Sequence, residues 1–205
     1  KDGPTYCLGC KACFFKDMSA CPHLKATLPI WQAMEEACLV VFITPTYVFS
    51  IPGQLKALLD HFGSRWIVHQ PSPKMLGKQA LIINQAVGAG FRSTLIPLKH
   101  SLRFWGIKRI YHIKARLGMT DYDLVDQKAK AKLNRQIERT IRKIMSKQQD
   151  VSPGLFAKLL YRAMAFGQKG IHKMLQKKDQ PATSDYLFWQ KEGWLDGHFP
   201  WKGKA

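Results

Sequence analysis

From residue 64 to residue 120 this chain has no aspartate and no glutamate, while the same stretch carries ten lysines and arginines. Over all 205 residues there are 32 basic and 14 acidic side chains, a formal net charge of +18. A long stretch without carboxylates carries a positive potential that favours phosphate-bearing ligands, anionic lipid or nucleic acid. A solvated surface that only keeps the chain dissolved is the competing reading. Long apolar runs are missing too. The longest, Ala37–Ile43, has seven residues, where a membrane-crossing helix needs about 20, so no integral membrane segment is expected. No basic-then-apolar leader opens the chain, which lends no support to secretion and points to the cytoplasm. A Ser nucleophile elbow, a Walker loop and a paired-carboxylate motif are all absent, so the familiar hydrolase and triphosphatase chemistries lack their residues.

Cysteine is nearly absent past residue 21. Cys38 stands alone at the head of an apolar run and reads as a small core residue. The other four, Cys7, Cys10, Cys13 and Cys21, crowd the N-terminal end in two overlapping C-x-x-C steps. Such a cluster in a chain without a leader reads as metal or redox chemistry rather than a disulfide framework. The first three are spaced as in ferredoxins and Pro22 follows the last, but the final gap is longer. Three readings stay open: a [4Fe-4S] cluster on the four thiolates, a zinc ion on three of them plus His23, and no metal.

The centre alternates helix and strand. Thr27–Ala37 has helical apolar spacing, and Cys38–Ile43 is an unbroken β-rich run, as a strand buried on both faces requires. Gln54–Phe62 places Leu55, Leu58, Leu59 and Phe62 on one helical stripe. A second strand is expected at Gln79–Ile83, a helix from Phe91 to a C-cap at Gly106, and a third strand over Ile107–Ile113. That third strand alternates apolar and basic residues, which suits a sheet edge. Asp121–Gln149 reads as a polar helix with Thr120 as N-cap. After Ser152-Pro153-Gly154, Leu155–Leu175 is amphipathic, with Phe156, Leu159, Leu160, Ala163 and Met164 on one side. That stripe is expected to pack on the sheet or on a second subunit, ahead of a membrane surface. The tail holds three Trp and is too aromatic for a disordered end. Repeated strand–helix alternation makes a parallel α/β sheet.

In such sheets ligands sit at the carboxyl ends of the strands. Two loops lie there: Thr44–Gly53, with aromatic rings, hydroxyls and two prolines, and Asn84–Gly90, whose small residues allow close backbone approach. Each is also compatible with plain turn chemistry. Their combination is more specific. TPTYVFSIPGQLKALLDHFGSRW, then KQALIINQAVGAGFRST and LRFWGIKRIY, with YCLGCKACFFKDMSACPH upstream, resembles the NADPH-dependent FMN reductase and iron–sulfur flavoprotein group over about residues 5–115. The DYLFWQKEGWL tail resembles clostridial-type members more loosely.

The resemblance implies a flavodoxin-like three-layer α/β/α fold over residues 1–150, with a C-terminal amphipathic helix and aromatic tail over 151–205. It implies FMN at the strand ends, with Pro45, Thr46, Tyr47, Val48 and Phe49 holding the isoalloxazine ring and Ala86, Gly88 and Gly90 closing its far side. Phe49 stands where the group commonly has Gly. The group's phosphate loop follows a first strand that precedes the cysteines. Only six residues precede Cys7 and the chain opens on Lys1, so N-terminal strands are expected ahead of it. Cys7, Cys10, Cys13 and Cys21 would be the cluster ligands. The implied activity is FMN-dependent NAD(P)H oxidation, with a small-molecule or protein electron acceptor and a homo-oligomeric state. The alternative is an electron carrier that relays electrons between FMN and [4Fe-4S]. A basic nucleic-acid binder is the remote third reading, since no recognised module is present. No catalytic side chain is nominated, because flavin chemistry fixes none. His61, His69, His100 and His112 show no partner spacing and read as packing or surface residues.

Overall fold

The computed structural model describes residues 4–119, 121–148, 150 and 152–202. Three strands, β1 (Leu39–Pro45), β2 (Gln79–Ala86) and β3 (Arg109–Arg116), pair in parallel in the order β1-β2-β3. The register runs from Leu39 opposite Gln79 to Pro45 opposite Gln85, and from Gln79 opposite Arg109 to Ala86 opposite Arg116. Parallel neighbours need crossover connections. Helices α3 (Gly53–His61) and α4 (Phe91–Phe104) supply them, preceded by a short α1 (Ala12–Phe15) and by α2 (Leu24–Glu36).

Alternation along β2 sorts the core into two layers. Ala80 and Ile82 point to a cluster with Trp31, Met34, Leu59, Phe62, Leu98, Leu102 and Trp105, all buried. Within it the Trp31, Phe62 and Trp105 rings meet at centroid distances of 5.1, 5.5 and 5.9 Å, each such pair worth about 0.5–1.5 kcal/mol beyond burial. Leu81 and Ile113 point the other way, against Ile144 of α5 (Gln127–Met145). Helices therefore cover both faces, and the fold is a three-layer parallel α/β/α arrangement. The third strand lies at an edge, as its alternation predicts.

Several boundaries and burials differ from the sequence expectations. Both β2 and β3 run three residues further than expected, past the end of the apolar pattern, because the ladder to a neighbour outlasts the need for apolar side chains. The polar helix starts at Gln127, not Asp121. Asp126 is its N-cap and accepts from the Ala129 N–H at 3.1 Å, while the Thr120 cap lies outside the described residues. Cys38 is exposed just before β1 rather than buried in it. β1 is not covered on both faces: Val41 is exposed and Ile43 is 76% exposed, since α5 packs over β3. Gly106 does end α4. Its φ of +97° is open to glycine, and a Cβ there would lie 2.7 Å from Leu76 Cδ2.

The C-terminal segment builds a third cluster from α6 (Leu155–Gln176), α7 (Ser184–Lys191) and the residues after it. Ala157, Tyr161 and Ala165 pack with Trp189, Trp194, Leu195 and Phe199, and Ile67 joins from the loop after α3. The expected α6 stripe is split: Leu160 and Met164 pack against this cluster, while Phe156, Leu159 and Ala163 are exposed. Tyr161 meets both Trp189 and Trp194, at ring centroid distances of 5.3 and 5.1 Å, and the small Ala157 and Ala165 on either side of it leave room for those rings.

Candidate functional site

The β1–α3 and β2–α4 loops meet at the carboxyl end of the sheet. Pro45 closes β1 opposite Gln85, and the next N–H, that of Thr46, donates to Gln85 O at 2.7 Å. Tyr47 and Ser50 then exchange both backbone hydrogen bonds, at 2.9 and 2.8 Å. Between them Val48 and Phe49 have φ of +48° and +57°, the pattern of a type I′ turn. Asn and Gly take that conformation readily, whereas a β-branched Val in it is strained. The strained tip is also bare: Val48 is 97% exposed, and Tyr47 and Phe49 are exposed beside it.

Gly90 brings the second loop against the first. It sits at φ +89°, and a Cβ there would stand 2.5 Å from Thr46 Cγ2 and 3.4 Å from Phe49 Cδ1. Gly88 has open space at its Cβ position, and Ala86 is buried as the last residue of β2. Of the eight residues named from the sequence, six thus lie on two adjoining loops, and Pro45 and Ala86 are the last residues of the strands that lead into them. Thr46 and Phe49 leave no room for a side chain at position 90.

A polar network holds the loops from below. Asn84, fully buried, donates from Nδ2 to Thr46 Oγ1 at 2.9 Å. Thr94 Oγ1 lies 2.9 Å from Thr46 Oγ1 and 3.2 Å from Ser50 O. One proton per hydroxyl lets the set close as Asn84 to Thr46 to Thr94 to Ser50 O. On the other side, Asn84 Oδ1 lies 2.7 Å from His112 Nε2, so the ring nitrogen carries the proton and donates. Burial pushes His112 below its ordinary pKa, and Lys114 and Lys99 push the same way. His112 is therefore a neutral donor at neutral pH. Asn84, Thr94 and His112 were not singled out for binding by sequence. The one available signal is a polar Asn ending the apolar run QALII. Arg116, opposite Ala86, lies over the Phe91 ring at 5.5 Å and leaves a cation at the same edge of the sheet.

The cysteines are arranged differently from the expectation of one ligand set. Among the described residues no group of three or more His, Cys, Asp or Glu side chains is placed to hold a metal ion. Cys7 and Cys10 are exposed, while Cys13 and Cys21 are half-buried and line a small cavity with His61, Ser64 and Arg65. Burial pushes the Cys13 thiol up; a hydrogen bond with Ser64 opposes this, and the nearby Cys21 and Cys7 add to it. Besides His112, two more of the histidines read as isolated have partners. His61 Nδ1 lies 2.7 Å from Ala57 O and its Nε2 lies 2.7 Å from His23 Nδ1. His69 Nδ1 pairs with Asp185 Oδ2 at 2.7 Å. His23 is thus engaged with another ring rather than turned to the thiols.

Comparison of the sequence with known proteins assigns the chain to a family. The chain is 30% identical over 110 residues to an FMN-dependent NADH:quinone oxidoreductase of Bordetella avium, covering 48% of this chain and 54% of that protein. The chain thus spans about half the length of the curated relative it matches. Similar solved structures include an NADH:FMN oxidoreductase in its apo form, with TM-score 0.43 and 21% identity over 62% of this chain and 60% of that one. Another is an FMN-dependent NADH-azoreductase from Bacillus anthracis in complex with FMN, with TM-score 0.42 and 19% identity over 57% of this chain and 62% of that one. The profile described as NADPH-dependent FMN reductase matches residues 3–117, which contain all three strands and both loops, and the chain belongs to that family.

Proposed function

We propose that this chain is the flavin-facing part of an FMN-dependent NAD(P)H oxidoreductase. The observation that carries the reading is the strained, bare tip Tyr47-Val48-Phe49, set against the glycine at position 90. Backbone strain kept at an exposed apolar tip is the signature of a site shaped for a ligand. The residues fit a flat flavin ring: apolar and aromatic side chains on one loop, close backbone approach on the other, and a rigid polar support beneath. The family's description and the Bordetella avium protein's name, both of which include FMN, support the same reading.

Pro45, Thr46, Tyr47, Val48 and Phe49 would hold the ring on one side, and Ala86, Gly88 and Gly90 would close the other. When bound, FMN supplies the redox chemistry, taking a hydride from the nicotinamide and passing electrons to an acceptor. The chain's own residues bind and orient it. Tyr47 offers ring contact and a hydroxyl. Val48 and Phe49 keep water from the ring edge. The Asn84–Thr46 bond fixes the loop, with neutral His112 holding Asn84. Arg92, Lys114 and Arg116, all exposed near this end of the sheet, supply a positive field for phosphate groups.

We place the flavin-facing unit in residues 1–150 and a helical, aromatic extension in 151–205. The acceptor would be a small molecule or a protein, the assembly a homo-oligomer, and the compartment the cytoplasm, which fits five free cysteines. An iron–sulfur carrier would need Cys7, Cys10, Cys13 and Cys21 drawn into one thiolate set. Their present arrangement does not fit a [4Fe-4S] cluster, nor three of them with His23 a zinc ion, so we route no electron through a metal.

The test is FMN titration of the whole chain, followed by fluorescence quenching, then anaerobic addition of NADPH or NADH. The chain should take up FMN, and either nicotinamide should bleach it. Tyr47→Ala should weaken FMN two- to tenfold, about the worth of one aromatic contact. No uptake of FMN, or unchanged affinity in Tyr47→Ala, would count against the site. Uptake without bleaching by either nicotinamide would favour an electron carrier.

A further inference from the structure

The α6 helix has a second face that the C-terminal cluster does not use. Its buried side carries Ala157, Tyr161, Ala165 and Gln168. On the opposite side Leu155 is 72% exposed, Leu159 53% and Phe166 83%, and Phe156 and Met174 stand exposed beside them. Gly170, in the same sector, has no atom within 4 Å of its Cβ position, and at the N-terminal end of the helix Phe156 meets the Phe104 ring edge-on at 5.7 Å. Half-exposed side chains of this size present on the order of 100 Å² each. Five of them approach the upper end of the apolar patch that a monomer ordinarily leaves bare.

The charge along this segment has one sign. Residues 151–178 contain six lysines and arginines and no aspartate or glutamate. Arg162, Lys169 and Lys173 are exposed along one flank of the apolar sector, and Lys177 and Lys178 follow just past the helix. Among the described residues Lys169 alone of these reaches a carboxylate, Asp196 at 3.4 Å in an exposed pair. None of the described helices is long and apolar enough to cross a membrane.

We propose that α6 docks in the plane of an anionic lipid bilayer, its Leu155–Leu159–Phe166 face entering the headgroup region and its basic flank meeting the lipid phosphates. An exposed apolar sector bordered by Lys and Arg is the arrangement of an interfacial helix, whose basic stems reach from the apolar boundary to the headgroups. At 22 residues α6 is about 33 Å long, enough to present the whole face at once. A second copy of this chain is the less suitable occupant. It would set one acid-free basic helix against another, and like charges across a contact disfavour it.

Vesicle co-sedimentation of the whole chain tests this, using phosphatidylcholine alone and phosphatidylcholine with 30% phosphatidylglycerol. Binding should appear with the anionic vesicles, be weak or absent with the neutral ones, and fall as salt rises from 0.1 to 0.5 M. Arg162→Gln and Lys173→Gln should each weaken it about fivefold. Leu159→Glu/Phe166→Glu, at exposed positions where the fold has no stake, should abolish it while the thermal midpoint and FMN titration stay as in the wild type. No binding to anionic vesicles overturns the proposal. So does equal binding to neutral vesicles, which removes the basic flank from the account. Binding that survives the double substitution places the contact on another basic surface and also overturns it. Concentration-dependent dimers that the double variant abolishes, without vesicle binding, assign the face to a second copy instead.

Discussion

Gly90→Ala perturbs the point where the two loops touch, and its cost follows from two contributions. At φ +89° an alanine is held in left-handed backbone, at about 1–2 kcal/mol. The new Cβ would lie 2.5 Å from Thr46 Cγ2, so the threonine must turn about χ1. That turn carries Oγ1 away from Asn84 Nδ2 and Thr94 Oγ1, both now at 2.9 Å. Hydrogen bonds of this kind contribute about 1 kcal/mol each. The sum is about 3–4 kcal/mol, which in a chain of this size lowers the melting midpoint by about 6–16 °C. FMN affinity should fall with it, because the Tyr47–Ser50 turn loses its support. Gly88→Ala is the matched control: its φ is ordinary and no atom lies within 4 Å of the added methyl. Thermal melts by circular dichroism and FMN titration read both variants. The reasoning fails if Gly90→Ala melts within about 2 °C of wild type, or if Gly88→Ala loses as much.

Three further outcomes are expected. His112 has a folded pKa pushed below 6.5, so its contribution is complete above that value and is withdrawn as pH falls through it. The wild-type midpoint should therefore drop more steeply between pH 7 and 5.5 than that of His112→Gln, which retains a donor for Asn84; parallel slopes would contradict this. Lys108, then Ser152 and Arg109, hold the Asp150 carboxyl well below the ordinary carboxylate range. Asp150→Asn should thus destabilise the chain from neutral pH down to about 5, with the gap from wild type closing below about pH 4; a gap that persists in acid would show that charge is not the cause. The Tyr161 hydroxyl is buried with no hydrogen-bond partner among the described residues, so Tyr161→Phe should leave stability unchanged or raise it by up to about 2 kcal/mol, and a loss above about 1 kcal/mol in chemical denaturation would reveal an ordered water on that hydroxyl.

The parallel three-layer arrangement was legible from the chain itself, because period-2 and period-3.6 patterning and glycine stops are local properties. Gln79–Ile83 announces a buried strand, Leu55, Leu58 and Leu59 announce a covered helix face, and Gly106 announces the end of α4. The two loops could be read in the same way, since a loop between a strand and the next crossover helix must lie at the strand's carboxyl end. Tertiary structure alone decided what those loops rest on. Thr46, Asn84, Thr94 and His112 come from four separate segments, and the register of β1, β2 and β3 together with the seating of α4 brings their polar atoms within 3 Å. It also decided that Cys38 is exposed, that among the described residues no three of the N-terminal thiols are placed to hold a metal ion, and that α6 sets Tyr161, with Ala157 and Ala165 beside it, against Trp189 and Trp194. Spacing along a chain states which side chains share a face. Which face is covered depends on the volume of what packs against it, and that volume belongs to residues far away in the sequence.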